Sequence, residues 1–381
     1  MNTHATAPIL PGALLGVLGG GQLGAMFATA ARRMGYRVAV ITDTADCPAA
    51  RHADRLYVGS YDDLAFLTQA AAGVAVVTFE FENVPAAAGE ALAAAVPVRP
   101  HPAVLSTTQN RAREKAFLVE RGIPCGRHAV VESAAELNAA VAEIGLPAVL
   151  KTAAFGYDGK GQRIIREPAA AEAAWESLRG VTCVLEEWID FSCELSVVAA
   201  RGLDGAVNAF PAVRNDHANH ILDVSSVPAG LPVEVLGEAE HLAATVLSEL
   251  DVVGVAGVEF FLTADGRLLV NEIAPRTHNS GHLTIEACPT SQFEQQVRAI
   301  CGLPLGATQV LAPAAMANLL GDRWANGEPD WPAALAVPGV GLHLYGKAEP
   351  RPGRKMGHLT ATAATAEQAI AAVRQARDAL G

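Results

Sequence analysis

Residues 13–42 have the sequence ALLGVLGGGQLGAMFATAARRMGYRVAVIT, which indicates the fold class of the first part of the chain. The apolar run at 13–18 predicts a buried strand, and a glycine-rich turn follows it. Residues 22–34 predict a helix, and the run at 37–42 predicts a second strand. This β-turn-α-β order is typical of a doubly wound α/β domain.

The pattern changes twice along the rest of the chain. The alternation of strands and helices continues through a predicted strand at 74–79. From residue 110 onward, short predicted strands are separated by alanine-rich helices, and a third region begins near residue 191. A length of 381 residues is consistent with two or three domains.

Composition excludes several classes of protein. Apolar residues make up 51% and charged residues 18%, which excludes a natively disordered chain. The net charge of −12 argues against a nucleic-acid or anionic membrane surface. The apolar stretch at 7–31 lacks the basic start of a signal peptide, and its glycines interrupt any bilayer-spanning helix. Six cysteines without C-x-x-C spacing indicate reduced thiols, so we expect a cytoplasmic protein with no nucleic-acid or membrane partner.

The stretch GVEFFLTADGRLLVNEIAPR at 257–276 predicts a β-hairpin. A two-residue turn at Asp265 and Gly266 places Glu259 directly opposite Glu272. Opposed carboxylates repel each other, and magnesium prefers a few carboxylate oxygens together with phosphate and water. A slipped register with one glutamate in solvent is the alternative. We favour the metal hypothesis because a polar cluster follows the second strand: Arg276, His278, Asn279 and His282.

Two other segments are candidate phosphate sites. The loop FGYDGKGQ at 155–162 combines three glycines with Lys160, so its backbone N–H groups can approach a phosphate. Four basic residues lie close together near the end of this otherwise acidic chain, and guanidinium groups can clamp phosphate: Lys347, Arg351, Arg354 and Lys355. Taken alone, the glycine loop is better explained as an ordinary solvated hairpin loop, and the basic run does not by itself distinguish a phosphate site from a solvated basic loop.

The glycine turn also fits a dinucleotide-binding fingerprint. Gly19, Gly21 and Gly24 follow a predicted strand and precede a helix, and Asp43 lies 19 positions beyond Gly24. A nicotinamide-dependent oxidoreductase is therefore a competing hypothesis. The same turn at a helix N-terminus would suit any phosphorylated ligand, and the fingerprint explains none of the later motifs.

Taken together, the motifs resemble those of the 5-(carboxyamino)imidazole ribonucleotide synthase family of the ATP-grasp superfamily. The resemblance spans almost the whole chain, and its specificity comes from the order of the motifs. These are GGGQLG at 19–24, TFEFENVP at 78–85, FGYDGKGQ at 155–162, EEWIDFSCELSV at 186–197, VNEIAPRTHNSGH at 270–282, SQFE at 291–294 and RPGRKMGHL at 351–359.

The resemblance implies an ATP-dependent carbon–nitrogen ligase of purine biosynthesis. In this family ATP and bicarbonate form carboxyphosphate, the amino group of aminoimidazole ribonucleotide captures the carboxyl group, and magnesium or manganese accompanies ATP. A homodimer is also expected. The implied architecture is an α/β and α+β fold of three domains: an N-terminal pre-ATP-grasp, Rossmann-like domain at 1–108, a central ATP-grasp lid at 109–190, and a C-terminal ATP-grasp domain at 191–381 that holds the metal hairpin and the substrate-phosphate loop.

The resemblance also assigns residues to the nucleotide and the metal. The nucleotide-binding set is Arg111, Lys151, Gly156, Tyr157, Asp158, Gly159, Lys160, Gly161, Gln162, Glu186, Glu187, Ile189, Glu194, His217, Asn271 and Glu272. Glu259 and Glu272 correspond to the metal-binding acids, in agreement with the hairpin arithmetic. Many ATP-grasp enzymes have asparagine where this chain has Ala274, which leaves Asn271 or water to complete the coordination. If Asn271 takes part, the hairpin register must be locally distorted.

The remaining assignments concern chemistry and the acceptor substrate. Arg276 would steady bicarbonate and carboxyphosphate, Lys151 would approach the phosphates, and Asp158 would accept the proton lost by the attacking amine. The acceptor would be held by Gln22, Glu80, Glu82, Tyr157, Asp158, Arg276, His278, Asn279, Lys347, Arg351, Arg354 and Lys355. The alternatives are a related ATP-grasp ligase of the formate-dependent transformylase or biotin carboxylase type, and a nucleotide-binding module without turnover.

Overall fold

A computed structural model describes residues 7–154 and 161–381. The first of its three β-sheets has four parallel strands. The elements are β1 (Leu14–Leu18), α1 (Gln22–Arg33), β2 (Arg37–Thr42), β3 (Arg55–Val58), α2 (Leu64–Ala70), β4 (Val76–Phe79), α3 (Ala86–Ala95) and α4 (Pro102–Thr108). The strand order is β3-β2-β1-β4, and every pairing is parallel.

Helices cover both faces of this sheet. Leu15 and Val17 of β1 pack in one apolar cluster with Phe27 of α1, whereas Leu14 and Leu18 pack in another with α2 and α3. Successive strand residues point to opposite faces, so a strand that is apolar throughout must be buried on both sides. The expected doubly wound arrangement is confirmed.

The second sheet also has four strands but is antiparallel, and the helix α5 (Arg111–Glu120) precedes it in the chain. Its elements are β5 (His128–Val131), α6 (Ala134–Ile144), β6 (Ala148–Thr152), β7 (Gln162–Ile165), α7 (Ala171–Ser177) and β8 (Cys183–Glu187). The strand order is β5-β8-β6-β7. Lys151 lies on β6 and Glu186 on the neighbouring strand β8, so the pairing of these strands brings the two side chains together.

The third sheet has nine antiparallel strands, and helices pack against it. Its elements are β9 (Phe191–Arg201), β10 (Val207–Ala209), β11 (Val213–Ala218), β12 (Ile221–Val227), α8 (Val233–Glu249), β13 (Gly254–Thr263), β14 (Leu268–Ala274), α9 (Thr284–Ala287), α10 (Gln292–Cys301), β15 (Ala314–Leu320), α11 (Trp331–Leu335), β16 (Val340–Leu344), β17 (Lys355–Thr362) and α12 (Ala366–Asp378). The order is β14-β13-β9-β11-β12-β15-β17-β16, with β10 beside β9, so β14 is an edge strand.

The hairpin of β13 and β14 has the expected pairing but a different turn. Glu259 lies opposite Glu272, as predicted. The turn has three residues instead of two, because the N–H of Thr263 donates to the carbonyl of Arg267, and Gly266 takes a left-handed φ of 85°. A bulge then compensates for the extra turn residue. Phe260 pairs with Val270, and Asn271 has no cross-strand partner.

Two further predictions can be compared with the described part of the chain. No helix within residues 7–154 and 161–381 has the length and apolar character needed to cross a membrane. All six cysteines are free, and five of them are buried, in agreement with the expected reduced thiols. The loop residues Gly156, Tyr157, Asp158, Gly159 and Lys160 lie outside the described residues.

Candidate active site

A cleft of about 1220 Å³ lies where the three sheets meet. Its lining comes from β6 and β8, from the hairpin, and from the segments that follow β1 and β4. Nearly all the residues assigned by resemblance within the described ranges line it: Gln22, Glu80, Glu82, Arg111, Lys151, Gly161, Gln162, Glu186, Glu187, Ile189, Glu194, His217, Glu259, Asn271, Glu272, Arg276, His278, Asn279 and Lys355.

A buried carboxylate organises the cations at one end of the cleft. The Nζ of Lys151 lies 2.9 Å from Oε2 of Glu186, and Nη1 of Arg111 lies 3.8 Å from Oε1. The Nζ of Lys115 is 3.9 Å from Oε2. Burial alone would raise the pKa of Glu186, but these three cations outweigh it and lower the pKa to about 2. The glutamate therefore stays ionised and holds a cationic surface toward the cleft.

The opposed glutamates of the hairpin face the same cleft. Glu259 accepts a hydrogen bond from Nε2 of His278 at 2.9 Å, and Oε2 of Glu272 lies 3.7 Å from Nη2 of Arg111. Burial raises the pKa of Glu272, and the charge of Glu259 raises it further, although Arg111 opposes the shift. Burial also tends to raise the pKa of Glu259, but the hydrogen bond from His278 outweighs this effect and lowers the pKa to about 2.

The donor chemistry of this pair fits magnesium. Two carboxylates from adjacent strands supply hard oxygen ligands and leave most coordination positions to phosphate oxygens and water. Among the described residues, no group of three or more His, Cys, Asp or Glu side chains forms a preassembled metal cage. Such a site is suited to a cation that arrives with a nucleotide.

Polar groups beyond the hairpin complete the opposite wall. Arg276 forms an ion pair with Glu82, which follows β4, and the nearby carboxylates raise the pKa of Arg276 against the effect of burial. The side-chain oxygen and nitrogen of Asn279 are buried without a hydrogen-bond partner. An unpaired buried amide is costly, so this side chain is suited to a ligand that both donates and accepts.

A second carboxylate and imidazole pair lies on β9 and β11. Glu194 accepts a hydrogen bond from Nδ1 of His217. Burial would lower the pKa of His217, but the hydrogen bond and the charge of Glu194 raise it. Glu187, at the end of β8, uses its carboxylate to accept from the backbone N–H and Nε of Arg127, each at 2.8 Å.

The glycine turn holds a carboxylate of the protein itself. The N–H of Gly21 donates to Oε1 of Glu80 at 2.5 Å, and the N–H of Gly24 donates to Oε2 at 3.0 Å. A Cβ at position 21 would lie 2.5 Å from Oε1 of Glu80. Burial raises the pKa of Glu80, and these two hydrogen bonds oppose the shift. The N-terminus of α1 is therefore already occupied by a carboxyl group of the protein, and no pyrophosphate can use these donors while Glu80 is in place.

The basic loop lies partly outside the cleft. Lys347, Arg351 and Arg354 are not among the described residues that line it, whereas Lys355 is. The Nζ of Lys347 donates to the carbonyl of Lys355 at 2.7 Å, and Arg351 forms an ion pair with Glu349 at 2.5 Å. Burial lowers the pKa of Lys347 to about 8, and Arg354 adds to the shift.

Sequence analysis missed two residues beside the cleft. Glu114 and Lys115 are each 1% exposed. Their signal was present, because Arg111, Glu114 and Lys115 have the spacing that places three side chains on one face of a helix. On a helix that reads as amphipathic, however, adjacent charged residues usually indicate a solvated face, so burial could not be anticipated.

Comparison with family models and known proteins agrees with this geometry. Models of three families match in sequence order: the ribonucleotide synthetase preATP-grasp domain over residues 13–109, the ATP-grasp domain over 116–293, and the phosphoribosylaminoimidazole carboxylase C-terminal domain over 314–372. An N5-carboxyaminoimidazole ribonucleotide synthase of Bacillus subtilis is 45% identical over 352 residues, which cover 92% of each chain.

Solved structures give the same result. The ADP complex of an N5-carboxyaminoimidazole ribonucleotide synthetase superposes with a TM-score of 0.92 at 41% identity, covering 97% of this chain and 98% of the other. An enzyme from Aspergillus clavatus in complex with ADP and 5-aminoimidazole ribonucleotide has a TM-score of 0.89 at 32% identity, with coverage of 97% and 98%. These matches overturn the oxidoreductase hypothesis and confirm the resemblance. The chain belongs to the N5-carboxyaminoimidazole ribonucleotide synthase family, the ATP-grasp ligases that carboxylate aminoimidazole ribonucleotide in an ATP-dependent reaction of purine biosynthesis.

Proposed function

We propose that this chain carboxylates aminoimidazole ribonucleotide through carboxyphosphate. An oxygen of bicarbonate attacks the γ-phosphorus of ATP, and the bond to ADP breaks. The amino nitrogen of the ribonucleotide then attacks the carboxyl carbon, the bond from that carbon to the phosphate oxygen breaks, and the amine loses a proton. The observation that carries the proposal is the meeting of the glutamate pair, the cations around Glu186 and Arg276 in one cleft.

The nucleotide end of the cleft is proposed to be the one bounded by β6 and β8. Arg111 and Lys151 supply positive charge for the phosphates, with Gly161 and Gln162 beside them and the loop at 156–160 closing over them by resemblance. Glu186, Glu187 and Ile189 run along the strand end proposed to meet the adenine, and Glu194 with His217 would meet the ribose. The cations stabilise the charge that develops during phosphoryl transfer, because they are already positioned before the reaction.

Magnesium is proposed to bind between Glu259 and Glu272. When bound, the ion would neutralise phosphate charge during transfer. The protein itself orients the two carboxylates. Glu259 is held by His278 and Glu272 is held near Arg111, so both carboxylates face the space where phosphate would lie. Asn271, released from strand pairing by the bulge, is a further oxygen donor available on the same strand.

Arg276 is proposed to orient bicarbonate and carboxyphosphate. Its guanidinium matches the planar edge of a carboxylate, and its ion pair with Glu82 holds it at the wall of the cleft. His278 and Asn279 lie beside it and would contact the imidazole of the acceptor, together with Tyr157 and Asp158. Asp158 is proposed to accept the amine proton by resemblance to the family.

The acceptor phosphate is proposed to bind at the basic loop. Lys347, Arg351, Arg354 and Lys355 concentrate positive charge in this loop, where Lys355 lines the cleft and Lys347 interacts with the charge of Glu80. Arg351 is exposed and paired with Glu349, so this pair must open for Arg351 to reach a phosphate. Exposed ion pairs are weak, and exchange of Glu349 for a phosphate dianion is favourable.

The experiment that tests the activity is ADP release by the purified protein with magnesium, ATP and bicarbonate. We expect strong dependence on added aminoimidazole ribonucleotide and on bicarbonate. Release that ignores the ribonucleotide would contradict the proposed acceptor. As a control, glycinamide ribonucleotide with formate should support no turnover, since that pair belongs to a related ATP-grasp ligase.

The domain division at 1–108, 109–190 and 191–381 remains our proposal, as do a homodimeric state and a cytoplasmic location. The dimer follows from the family resemblance. Light scattering on the purified protein tests it directly, and a single peak at the monomer mass would contradict it.

A further inference from the structure

Glu114 and Lys115 of α5 are buried, and neither is assigned a contact with a substrate in the proposed reaction, although Lys115 also lies 3.9 Å from Oε2 of Glu186. Each is 1% exposed, and neither is among the residues that line the cleft. Burying a carboxyl and an ammonium group is costly unless each finds specific partners. Their partners therefore indicate what the helix does at this position.

Both residues bind the backbone of β14 around Glu272. The Nζ of Lys115 donates to the carbonyl of Asn271 at 3.0 Å and to that of Val270 at 3.4 Å. Oε2 of Glu114 accepts from the N–H of Ile273 at 3.0 Å. The helix thus holds the strand on the residues before Glu272 and on the residue after it.

The strand needs such support for two reasons. It is the edge strand of its sheet, so its outward N–H and C=O groups need partners other than a neighbouring strand, and the N–H of Val270 donates to the carbonyl of Pro124 at 2.8 Å. It also carries the bulge at Asn271, where the regular ladder is interrupted. Without other partners, the backbone on either side of Glu272 could relax toward a regular register, and this would move the Glu272 carboxylate.

We propose that Glu114 and Lys115 are positioning residues that hold the bulge and thereby aim the Glu272 carboxylate at the divalent cation. Arg111 lies one turn earlier on the same helix face and approaches the carboxylate itself, with Nη2 3.7 Å from Oε2. The helix therefore holds one metal acid through both backbone and side chain. This inference rests on the proposed magnesium site between Glu259 and Glu272.

The test compares Lys115→Met with Arg113→Met. Both substitutions remove a cation from α5, but Arg113 is exposed and outside the cleft. The dissociation constant of Mn²⁺ is measured by electron paramagnetic resonance in the presence of a non-hydrolysable ATP analogue. In parallel, turnover gives the half-saturating free Mg²⁺ and the KM for aminoimidazole ribonucleotide.

We expect Lys115→Met to weaken Mn²⁺ binding and to raise the half-saturating Mg²⁺ at least tenfold, while the KM for the ribonucleotide changes less than twofold. Arg113→Met should match the wild type. An unchanged Mn²⁺ dissociation constant in Lys115→Met, even with lower turnover, would overturn the inference, because a purely structural role lowers the active fraction without moving the metal affinity.

A second pair of variants covers the case in which Lys115→Met does not fold. Glu114→Gln keeps an acceptor for the N–H of Ile273, and Glu114→Met removes it. We expect weaker Mn²⁺ binding in Glu114→Met only, and equal binding in both would overturn the inference. If the wild type itself binds no Mn²⁺ with the analogue, the proposed metal site fails, which is a separate outcome.

Discussion

The glycine turn after β1 and the hairpin of β13 and β14 both combine carboxylates with a motif that suggests phosphate chemistry. At the turn, Glu80 occupies the backbone N–H groups of Gly21 and Gly24 and closes the anion site from within. At the hairpin, Glu259 and Glu272 face each other, and His278 and Arg111 only partly compensate their negative charge. A motif can therefore bind a ligand only where the fold leaves its polar groups without partners from the protein.

The largest expected effect comes from Glu272→Gln. The amide keeps the shape of the side chain but removes one of two opposed charges. We therefore expect both the affinity for the metal–nucleotide complex and the rate of phosphoryl transfer to decrease. We expect kcat to fall by at least roughly 100-fold. Steady-state ADP release measures it. Glu238→Gln, at an exposed position of α8, should leave the rate unchanged, and an active Glu272→Gln would contradict the metal assignment.

Glu80→Ala should reopen the anion site at the glycine turn. Loss of two charge-assisted hydrogen bonds should lower the free energy of unfolding by about 1.5–3 kcal/mol. Inorganic phosphate should then stabilise the variant more than it stabilises the wild type, because the N-terminus of α1 is free to bind it. Thermal unfolding with and without phosphate measures both effects. Equal phosphate responses in the two proteins would show that Glu80 does not fill the site.

Lys347 lies close enough to Glu80 for their charges to interact, and its pKa is lowered to about 8 by burial. As the pH rises through this value the ammonium becomes neutral, so attraction for the acceptor phosphate is lost at high pH and retained at low pH. We expect the KM for aminoimidazole ribonucleotide to rise roughly tenfold between about pH 7 and pH 9.

Lys347→Arg supplies the control for that pH profile. Arginine remains charged throughout this range, so the KM of the variant should be nearly independent of pH. A wild-type KM that is flat from about pH 7 to pH 9 would remove Lys347 from phosphate binding.

The smallest effect is expected at the tip of the hairpin. Gly266 has a φ of 85°, and a Cβ there would meet no atom within 4 Å, so alanine adds backbone strain alone. Gly266→Ala should cost about 1 kcal/mol of stability and leave kcat unchanged. Chemical denaturation measures the cost. Gly237→Ala, inside α8, should instead stabilise the protein, because it removes a flexible residue from a helix.

In the hairpin of β13 and β14, the sequence pattern predicts the strand pairing correctly but not the turn length. The opposition of Glu259 and Glu272 was predicted from an assumed two-residue turn, yet the actual turn has three residues, and the pairing is restored by the bulge at Asn271. The local distortion needed for Asn271 to act as a ligand is thus present, although its coordination remains a prediction. Turn length depends on backbone conformations such as that of Gly266, which residue type favours but does not dictate.

The burial of charged side chains could not be predicted from the sequence. Lys115 and Glu114 lie on a predicted helix in which adjacent charged residues usually indicate a solvated face, and their burial depends on how α5 meets the edge of a sheet more than 150 residues away in the chain. The same holds for Glu80, whose place at the N-terminus of α1 depends on the approach of β4 to β1. Local pattern carries no information about such distant partners.

Local sequence patterns specify the doubly wound first domain, the family and the membership of most of the cleft, because apolar periodicity and an ordered set of motifs are local properties of the chain. Which carboxylates remain available depends on the folded arrangement. Glu80 is bound to the backbone, Glu186 is enclosed by three cations, and Glu272 is held at a bulge facing the cleft. These outcomes depend on desolvation and on charges brought together from separate domains, which only the folded arrangement specifies.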